Sequence, residues 1–588
     1  MQSITLPPRD PPQQSRHDYS KLPQHVGDTI LPNFSIFNRL LFFAGNRDHL
    51  VVNDVTNGLK ATHRQLLSDV LHLRNALQDR LDPDTRLRLL QGDEVAINLL
   101  ASGGYEFATA FLALLALGAV IVPISVNVPL EEAMYFAKTS RSVGIVCSTK
   151  CAKLGNDLAS AMNASSMPGF ISMEIRPHIC KPQIPVAQIA ISSDHFLDYL
   201  GAGLVIFTSG TSGPPKGAIK RRSFLDMNAS AIAQWYHLQE TDVVLHTLPV
   251  HHATGIGISF MPFLLAGAGI EFQSSGFNPA HIWERWRQGG LTIFSGVPTM
   301  YMRMMRYFDE NISKRSPTEI QSYADAARSF RIMMSGSAAL PFSLQTKWIK
   351  LLDGKRILER YGATEFSSVF SVKPGDSKNP DVTDPSFSFA FLADYGRQGS
   401  VGKAFFGLQV KLSGGNEGEV LVKSPHMFRE YLYNPAATAA AFTPDGFYKT
   451  GDIARREGDY YFILGRASID IIKSGGYKIS ALDIEREILD LPYIGEVMVV
   501  GVEDEEYGQK VAAAITLRDG VSSVSLEKLR TDLRSRLAGY KMPTILRVVD
   551  EFPKSASGKV VKRILGKKFF SQLDDPSIQI WRSRQSKI

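Results

Sequence analysis

Short apolar runs alternate with longer stretches in which apolar residues recur at helical spacing along most of the chain. The runs that we interpret as buried strands are residues 95–99, 143–147, 203–207, 243–247, 291–294 and 332–334. Strands that alternate with helices favour an α/β fold with layered, mostly parallel sheets. The most apolar run, residues 107–122, is broken at Gly118 and is shorter than the about 20 residues that span a membrane. We therefore expect a buried helix and a buried strand there, and no membrane span.

The pattern changes near Gly465-Arg466. Residues 418–422 and 460–464 precede this point and are typical of antiparallel strands, which we interpret as a small barrel-like β subdomain. After it we predict a small α+β domain with helices 481–491 and 526–537 and strands 496–501, 510–517 and 545–549. The predicted organisation is a Pro-rich disordered arm at 1–30, a large N-terminal α/β domain at 31–465 and a small C-terminal domain at 466–588, with Ser468 as the hinge.

Composition narrows the possible functions. The chain has 588 residues, enough for more than one domain, and its 44% hydrophobic and 21% charged residues are ordinary for a globular protein. The net charge of +7 suits anionic ligands such as nucleotides and coenzyme A (CoA). Nucleic acid is not an expected partner, because no Lys/Arg stripe is interleaved with aromatic residues. Cys147, Cys151 and Cys180 are too few for a disulfide framework and lack the spacing of a zinc site, which indicates a reducing compartment.

The most informative segment runs from Leu204 to Gly217, where an apolar strand leads into a loop rich in Thr, Ser and Gly. Glycines let backbone N–H groups converge on a phosphate, hydroxyl groups add donors and a lysine adds positive charge. The segment is not a Walker A motif, since no Gly directly precedes its Lys and no Ser or Thr follows it. The predicted phosphate-binding residues are Thr208, Ser209, Gly210, Thr211, Ser212, Gly213 and Lys216.

This loop resembles the phosphate-loop signature of the AMP-forming adenylating superfamily, which includes acyl-CoA synthetases, luciferases and peptide-synthetase adenylation domains. The other motifs of that superfamily follow in family order: Ser335-Gly-Ser-Ala-Ala339, Tyr361-Gly-Ala-Thr-Glu365, Tyr448-Lys-Thr-Gly-Asp452, Gly465-Arg466, Ile472-Lys-Ser-Gly-Gly-Tyr-Lys478 and Pro553-Lys-Ser-Ala-Ser-Gly-Lys-Val-Val-Lys-Arg563. The resemblance extends over most of the chain and implies ATP, Mg²⁺ and CoA as cofactors.

The resemblance also implies a role for each motif. The nucleotide-binding residues would be the phosphate loop together with Gly336, Ser337, Ala338, Glu359, Arg360, Tyr361, Gly362, Thr364, Asp452, Arg466 and Lys559. In that family the motif aromatic lies beside the adenine, the Thr meets the α-phosphate and the Asp accepts from both ribose hydroxyls. Glu365 would hold Mg²⁺, and one carboxylate suffices because Mg²⁺ takes its other ligands from phosphate and water.

The implied reaction has two steps. A carboxylate first attacks the α-phosphate of ATP to give an acyl-adenylate and pyrophosphate, with Lys559, Thr364, Glu365 and His252 as the catalytic residues. The C-terminal domain, which carries Lys559, would then swing about the hinge, and a loop with Lys473, Gly475 and Gly476 would bring the CoA thiol.

The acid is less constrained than the reaction. The predicted acyl-site residues are His251, His252, Ser335, Gly336, Gly362 and Ala363. Individual segments resemble malonate-type ligases most, but those enzymes place an Arg where this chain has Gly290 and a His where it has Thr254. A buried second carboxylate without a cation is costly, so we favour a largely apolar, medium-chain monocarboxylic acid, with malonate as the alternative. Arg285 or Arg287 could supply the missing cation.

The acceptor and the compartment remain open to alternatives. No carrier domain follows Arg563, so CoA is favoured over a carrier protein, whereas a luciferase-like oxygenase or a non-catalytic nucleotide-binding protein would share part of the motif set. Ser586-Lys587-Ile588 resembles a peroxisomal address, with the cytoplasm as the alternative. The chain thereby resembles fungal peroxisomal acyl-CoA ligases, including those of host-selective toxin pathways. Whether the protein is a monomer or a homodimer is not indicated.

Overall fold

The computed structural model describes residues 22–581 apart from Ser166, residues 209–213, Ser275, residues 375–398, Ser468, residues 475–476 and residues 555–559. Several predicted residues lie outside the described part: Ser209, Gly210, Thr211, Ser212, Gly213, Ser468, Gly475, Gly476, Lys559, Ser586, Lys587 and Ile588.

One sheet of seven strands carries the phosphate-loop segment at one side. Its strands in spatial order are Phe428–Tyr431, Lys216–Arg221, Ala202–Thr208, Val120–Pro123, Ala96–Leu100, Gly144–Cys147 and Ile171–Glu174. The last five are parallel to one another, whereas the first two add antiparallel pairs. Every residue of Ala96–Leu100 and Val120–Pro123 is buried, which explains why these strands are continuous apolar runs without alternation.

A second sheet of nine strands brings together the motifs that follow the phosphate loop. Its strands in spatial order are Lys403–Ala404, Ser367–Ser371, Leu358–Ala363, Ile332–Ser335, Ile293–Gly296, Val243–His246, Gly269–Phe272, Leu50–Asp54 and Leu59–Thr62. The central strands are parallel and an antiparallel partner closes each end. The carboxyl ends of neighbouring parallel strands therefore share one edge, the usual place for a ligand in an α/β fold.

Helices cover both sheets. The α-helices of this part of the chain are Ser35–Asn46, His63–Arg80, Pro83–Leu90, Tyr105–Ala116, Leu130–Ser140, Ala152–Ser165, Ala229–Trp235, Ala253–Ser259, Met261–Ala266, Pro279–Arg287, Pro298–Tyr307, Pro317–Arg328, Phe342–Leu351 and Pro435–Ala441. Nearly all of Tyr105–Ala116 is buried, as its apolar sequence predicts. Within the described residues, no helix is both long and apolar enough to cross a membrane.

The small β subdomain follows as a four-stranded antiparallel sheet: Gln409–Leu412, Glu417–Lys423, Tyr448–Glu457 and Tyr460–Arg466. Its core includes Val420, Val422 and Tyr448 and also takes in Phe370 from the nine-stranded sheet. The shared core fixes the long strand Tyr448–Glu457 next to the motif strands of the large sheet.

The smaller C-terminal domain has its own sheet and its own core. Its strands are Ile471–Ser474, Tyr477–Ser480, Ile494–Asp504, Gly508–Leu517, Ile545–Val548 and Ile578–Ile580, and its helices are Ala481–Leu489, Leu526–Leu533 and Lys562–Phe570. The predicted helix 526–537 is shorter than expected, because a turn begins at Arg534 ahead of Gly539. The last helix and the last strand were not predicted.

The N-terminal residues modify one prediction. Ile30–Asn33 is a strand that pairs in parallel with Ala190–Phe196, and the Arg74 guanidinium donates to the carbonyls of Gly27 and Asp28. The predicted arm at 1–30 is therefore too long at its C-terminal end. The predicted domain boundary at 466 stays a prediction.

Candidate active site

The candidate site lies where three parallel strands of the nine-stranded sheet end side by side. Gly296 is opposite Ser335, and Ser335 is opposite Glu359, so their strands reach the same edge in register. Two of the predicted motifs begin near such strand ends: Ser335–Ala339 starts at the last residue of Ile332–Ser335, and Tyr361–Glu365 starts within Leu358–Ala363. The register explains why segments far apart in sequence can contribute to one site.

Asp452 joins two predicted nucleotide-binding residues. The Tyr361 hydroxyl donates to Asp452 Oδ2 at 2.7 Å, and Arg466 Nε donates to Oδ1 at 2.9 Å. Burial raises the pKa of the Asp452 carboxyl, while Arg466 and Tyr361 act against that rise. A carboxylate held at both oxygens by fixed donors keeps lone pairs for further donors, which suits it to accept from a pair of ribose hydroxyls.

Glu365 is held by a tyrosine hydroxyl. The Tyr431 hydroxyl donates to Glu365 Oε1 at 3.0 Å, and the Tyr431 and Tyr448 hydroxyl oxygens are 3.2 Å apart. Burial, and after it the charge of Glu365, raises the pKa of both tyrosines, so that both stay protonated donors at neutral pH. The Lys216 ammonium lies 5.5 Å from the centroid of the Tyr431 ring. Tyr431 thus stands between the predicted metal ligand and the lysine of the phosphate loop.

A magnesium ion with few protein ligands fits this arrangement. The described residues contain no group of three or more His, Cys, Asp or Glu side chains that could hold a metal ion by themselves. Glu365 is half-buried, and only one of its oxygens has a described hydrogen bond to a side chain. A single carboxylate is an adequate protein ligand for a Mg²⁺ ion that is also bound by phosphate oxygens and water.

The ends of the phosphate loop are joined by a hairpin. Thr208 is the last residue of Ala202–Thr208, Lys216 is the first residue of Lys216–Arg221, and the two residues are paired. Thr208 Oγ1 donates to the Lys216 carbonyl at 3.3 Å. The predicted loop residues between them lie outside the described residues.

The predicted acyl side contains uncharged histidines. The rings of His251 and His252 are 4.4 Å apart, directly before the helix Ala253–Ser259. The pKa of His251 is lowered to about 3, mainly by burial and to a smaller extent by the neighbouring His252. Burial also lowers the pKa of His246, to about 4. A Cβ at Gly255 would lie 2.2 Å from the Pro249 carbonyl oxygen, so this position of the motif accepts only glycine.

The buried guanidinium of Arg360 packs against the backbone segment that follows Ser335. A Cβ at Gly336 would come within 2.9 Å of the Arg360 side chain, so Arg360 packs directly against this backbone. Arg360 Nη2 donates to Ser295 Oγ at 3.5 Å, and its Nε is buried without a hydrogen bond. Burial lowers the pKa of Arg360. The structure therefore places a weakly paired cation beside the predicted acyl site.

Glu359 has a local partner as well. Its carboxylate accepts from the Leu340 backbone N–H at 3.4 Å, and burial raises its pKa. The side chain therefore supports the segment that contains Ser337 and Ala338. Of the other predicted residues on this edge, Thr364 and Ala363 are half-buried and Gly362 is exposed.

The prediction that Arg285 or Arg287 could serve the acid is wrong. Arg285 binds the Glu271 carboxylate through two nitrogens, at 2.5 and 2.9 Å, and the surface residue Arg287 pairs with Glu284 at 2.8 Å. Gly290 is exposed, and a Cβ there would have no neighbour within 4 Å. An arginine at this position would start from the surface, so the absence of one says little about the acid.

The predicted CoA residues belong to the small domain. Lys473 lies on the hairpin formed by Ile471–Ser474 and Tyr477–Ser480, and its backbone N–H donates to Gln509 Oε1 at 2.9 Å. Tyr477 on the same hairpin stacks on Tyr540 with ring centroids 4.3 Å apart, and both rings are exposed.

Tyr431 was not found from the sequence, and neither were Lys220 and Ser367, which are hydrogen-bonded to each other at 2.7 Å next to the turn that carries Glu365. Tyr431 gives no signal of its own, because its partner Glu365 lies 66 residues earlier. Lys220 could have been noticed as a lysine directly after the apolar pair Ala218-Ile219 in the strand Lys216–Arg221.

Comparisons with known proteins point in one direction. Residues 43–432 match the model of the AMP-binding enzyme family, and residues 483–559 match that of the AMP-binding enzyme C-terminal domain. A CoA ligase of Gibberella moniliformis is 31% identical and is similar over 93% of this chain and 96% of its own length. Acyl-CoA ligase oryP of Aspergillus oryzae is 30% identical over 94% of this chain and 96% of its own length. A malonate–CoA ligase of Arabidopsis thaliana is 33% identical over 81% of this chain and 78% of its own length.

Solved structures have the same fold. ATP-bound MatB from Rhodopseudomonas palustris has a TM-score of 0.72 at 24% identity and covers 91% of this chain and 98% of its own. The anthranilate CoA ligase AuaEII, in complex with anthranoyl-AMP, has a TM-score of 0.73 at 21% identity and covers 93% and 98%.

Proposed function

The chain belongs to the AMP-binding enzyme family and is an AMP-forming acid–thiol ligase, and we propose that it joins a largely apolar monocarboxylic acid to CoA. The observation that carries the adenylation step of this proposal is the joining of Tyr361, Asp452 and Arg466 through one carboxylate. Residues of three separate motifs thereby meet at one carboxylate, which can accept hydrogen bonds from the two hydroxyls of a ribose.

We assign the first half-reaction to the large domain. Glu365 would hold Mg²⁺, which neutralises charge on the phosphates when it is bound. Thr364 would donate to the α-phosphate, Lys216 and the loop before it would hold the leaving pyrophosphate, and Lys559 would approach the carboxylate and the α-phosphate. The enzyme's contribution is position and positive charge, because the carboxylate itself is the nucleophile.

The second half-reaction needs a different surface, because the CoA thiol must reach the acyl carbonyl. We assign this step to the hairpin that carries Lys473, together with Gly475 and Gly476 of the same motif. The CoA thiolate would form a bond to the acyl carbon. The bond between that carbon and the phosphate oxygen of AMP would break, so that AMP leaves with this oxygen. A small domain with its own core can present Lys559 and this hairpin in turn.

The charge state of the histidines supports an apolar acid. His251 and His246 are neutral at neutral pH, because burial lowers their pKa values to about 3 and about 4. Neither imidazole supplies a cation for a second carboxylate. The neutral, half-buried imidazole of His251 instead favours the apolar body of a monocarboxylic acid.

The test is pyrophosphate release and AMP formation with a panel of acids, with and without CoA. We expect one or more medium-chain monocarboxylates to give CoA-dependent AMP and an acyl-CoA product. Turnover with a carrier protein but not with CoA would overturn the choice of acceptor. A panel in which no acid yields AMP would overturn the proposed function.

A second candidate acid is malonate, and Arg360 is the observation that favours it. The guanidinium is buried beside Gly336, and the Ser295 hydroxyl is the one side-chain acceptor described for it, so a second carboxylate could become its partner. Relatives from Arabidopsis thaliana and Bos taurus bear the name malonate–CoA ligase.

Arg360→Met separates the two acids. If malonate is the substrate, the variant should lose about 10²-fold or more in kcat/KM for malonate, because a buried carboxylate would lose its cation. If the acid is apolar, wild-type protein should not use malonate, and the variant should keep its preference among monocarboxylates. The measured quantity is the ratio of kcat/KM for malonate to that for octanoate.

A further inference from the structure

Lys220 is a fully buried lysine within the strand that leaves the phosphate loop. The strand Lys216–Arg221 is buried from Gly217 to Lys220, and the exposed fraction of Lys220 is 0%. Apolar side chains precede it at Ala218 and Ile219. A buried ammonium is costly unless fixed partners replace its water, so the contacts of Lys220 need a reason.

Its partners join two segments of the site. Lys220 Nζ donates to Ser367 Oγ at 2.7 Å and to the His426 carbonyl at 3.1 Å, and Ser367 Oγ donates to the same carbonyl at 3.0 Å. The ammonium also lies 4.4 Å from the centroid of the Phe224 ring. Burial lowers the pKa of Lys220 to about 7, and the charge of Glu365 opposes that shift.

Ser367 lies two residues after Glu365, in a conformation that needs support. Its φ is 63°, a left-handed value that few non-glycine residues adopt, and the residue is buried. On the other side of the turn, the Phe428 backbone N–H donates to the Glu365 carbonyl at 2.6 Å. The turn that carries Glu365 is therefore bound to residues 426–428 at two points, and Lys220 donates to both partners of one of them, Ser367 Oγ and the His426 carbonyl.

We propose that Lys220 is a positioning residue for acyl-adenylate formation, which holds the Thr364–Glu365 turn in place through Ser367 and the His426 carbonyl. Lys216 and Lys220 are on one strand, so this strand carries the phosphate-loop lysine at its start and supports the metal-binding turn further along. The inference rests on the proposed function, because it concerns how the same phosphate site is held.

The geometry separates this role from a general role in folding. A lysine that only stabilised the fold would change both half-reactions through the amount of folded protein. A lysine that positions Glu365 should change the step that uses Mg²⁺ and leave the other step alone. The readout is therefore the Mg²⁺ dependence of adenylation, compared with thioester formation from supplied acyl-adenylate.

The main variants are Lys220→Met and Ser367→Gly. Methionine keeps the length of the side chain without its charge, and glycine accepts the left-handed φ while removing the hydroxyl. Lys355→Met is the matched control, since Lys355 donates to the backbone carbonyls of Arg328 and Phe330, away from the site.

For Lys220→Met we expect acid-dependent ATP–pyrophosphate exchange to fall about 10-fold to 100-fold, with half-saturation at a higher Mg²⁺ concentration, as for the loss of a residue that orients a metal ligand. Ser367→Gly should act in the same direction, and the double variant should fall short of the product of the two effects, because both remove one contact. Thioester formation from acyl-adenylate and all rates of Lys355→Met should stay within about twofold of wild type.

Equal losses in both half-reactions, or an unchanged Mg²⁺ dependence in Ser367→Gly, would overturn the inference. If Lys220→Met does not fold, Ser367→Gly decides the question, because it keeps the buried lysine. Wild-type protein without acid-dependent exchange would instead refute the proposed function. Active wild-type protein with an unaffected Ser367→Gly refutes only the role of Lys220.

Discussion

The predicted nucleotide side and the predicted acyl side of the site are built from different kinds of side chain. On the nucleotide side, polar groups bind one another: Asp452 accepts from Tyr361 and Arg466, and Glu365 accepts from Tyr431. On the acyl side, the imidazole of His251 is kept neutral by burial. The difference separates the two tasks of a ligase, since charge is needed where phosphates react and shape is needed where an acid is chosen.

The paired groups of the nucleotide side are fixed before a substrate binds. A preorganised donor or charge stabilises the transition state without the cost of reorientation, and removing one has a large effect on rate. The acyl side selects by fit, where a change of one methylene group has a modest effect. Variants on the nucleotide side should therefore reduce turnover of every acid, whereas variants on the acyl side should change the order of preference.

The largest effect is expected for Lys559→Ala. Loss of the positive charge that we assign to the carboxylate and the α-phosphate should slow adenylation by about 10²-fold to 10³-fold for every acid. Thioester formation from supplied acyl-adenylate should continue at the wild-type rate. Acid-dependent ATP–pyrophosphate exchange and single-turnover thioester formation measure the two steps.

Lys554→Ala is the control for that variant. Lys554 is in the same motif, and its ammonium pairs with Glu496 at 2.6 Å on the surface. It should affect neither step. Equal losses of both half-reactions in Lys559→Ala would refute the assignment of this lysine to adenylation alone.

The motifs explain why the nucleotide side could be predicted. Tyr361, Asp452 and Arg466 were selected from three separate motifs, and the structure brings them into hydrogen-bonding contact. The strand pattern also gave seven of the sixteen described strands of the two large sheets to within about two residues, because fully buried strands are continuous apolar runs.

The remaining features depend on contacts that the sequence does not display. Tyr431 reaches Glu365, and Lys220 reaches Ser367, only because a strand of one sheet packs beside a turn of the other. The absence of an arginine at Gly290 was interpreted as a missing cation, yet Gly290 lies on the surface. The buried cation beside the predicted acyl site is Arg360. Spacing within a motif gives no information on which side chain faces the acid.

The second-largest loss of activity is expected for Asp452→Asn. The amide cannot pair with Arg466 as a carboxylate does, and it is a weaker acceptor for ribose hydroxyls. We expect kcat/KM for ATP to fall about 10-fold to 100-fold, as for the loss of one or two charge-assisted hydrogen bonds. The relative rates of different acids should not change, and steady-state kinetics with two acids measure both quantities.

Asp445→Asn is a suitable control, because Asp445 is an exposed carboxylate that pairs with Lys411 at 2.6 Å outside the site. A change in acid preference in Asp452→Asn would contradict the separation of the two sides.

A smaller effect concerns pH and the acyl side. His246 is buried and its pKa is lowered to about 4, below its ordinary value of 6.5, so the native state binds fewer protons than the unfolded state between these values. The stability that the neutral His246 contributes is therefore fully present above pH 6.5 and is lost as the pH falls toward 4. Between pH 7 and pH 5.5 the loss should be about 1 kcal/mol.

Thermal unfolding of wild-type protein and His246→Gln at the two pH values measures this effect. Glutamine does not titrate, and it can still donate to the Gly255 carbonyl that His246 Nε2 contacts at 3.0 Å. The variant should lose less stability than wild type on acidification. Parallel losses in the two proteins would show that His246 does not contribute.

The smallest effect is expected for Tyr431→Phe. Glu365 loses one hydrogen bond but keeps its place in the chain, so the half-saturating Mg²⁺ concentration for adenylation should rise about threefold. Tyr433→Phe is the control, because Tyr433 is an exposed neighbour whose ring lies against Arg141. An equal effect of the two substitutions would mean that the Tyr431 hydroxyl does not support Glu365.

The central claim is that the acid attacks the α-phosphate of ATP at this site, and an oxygen label tests it most directly. An accepted acid with both carboxylate oxygens replaced by ¹⁸O is turned over with ATP, Mg²⁺ and CoA, and the products are analysed by mass spectrometry. We predict one ¹⁸O atom in AMP, one in the acyl-CoA and none in pyrophosphate. Label in inorganic phosphate, with ADP as the nucleotide product, would contradict the account.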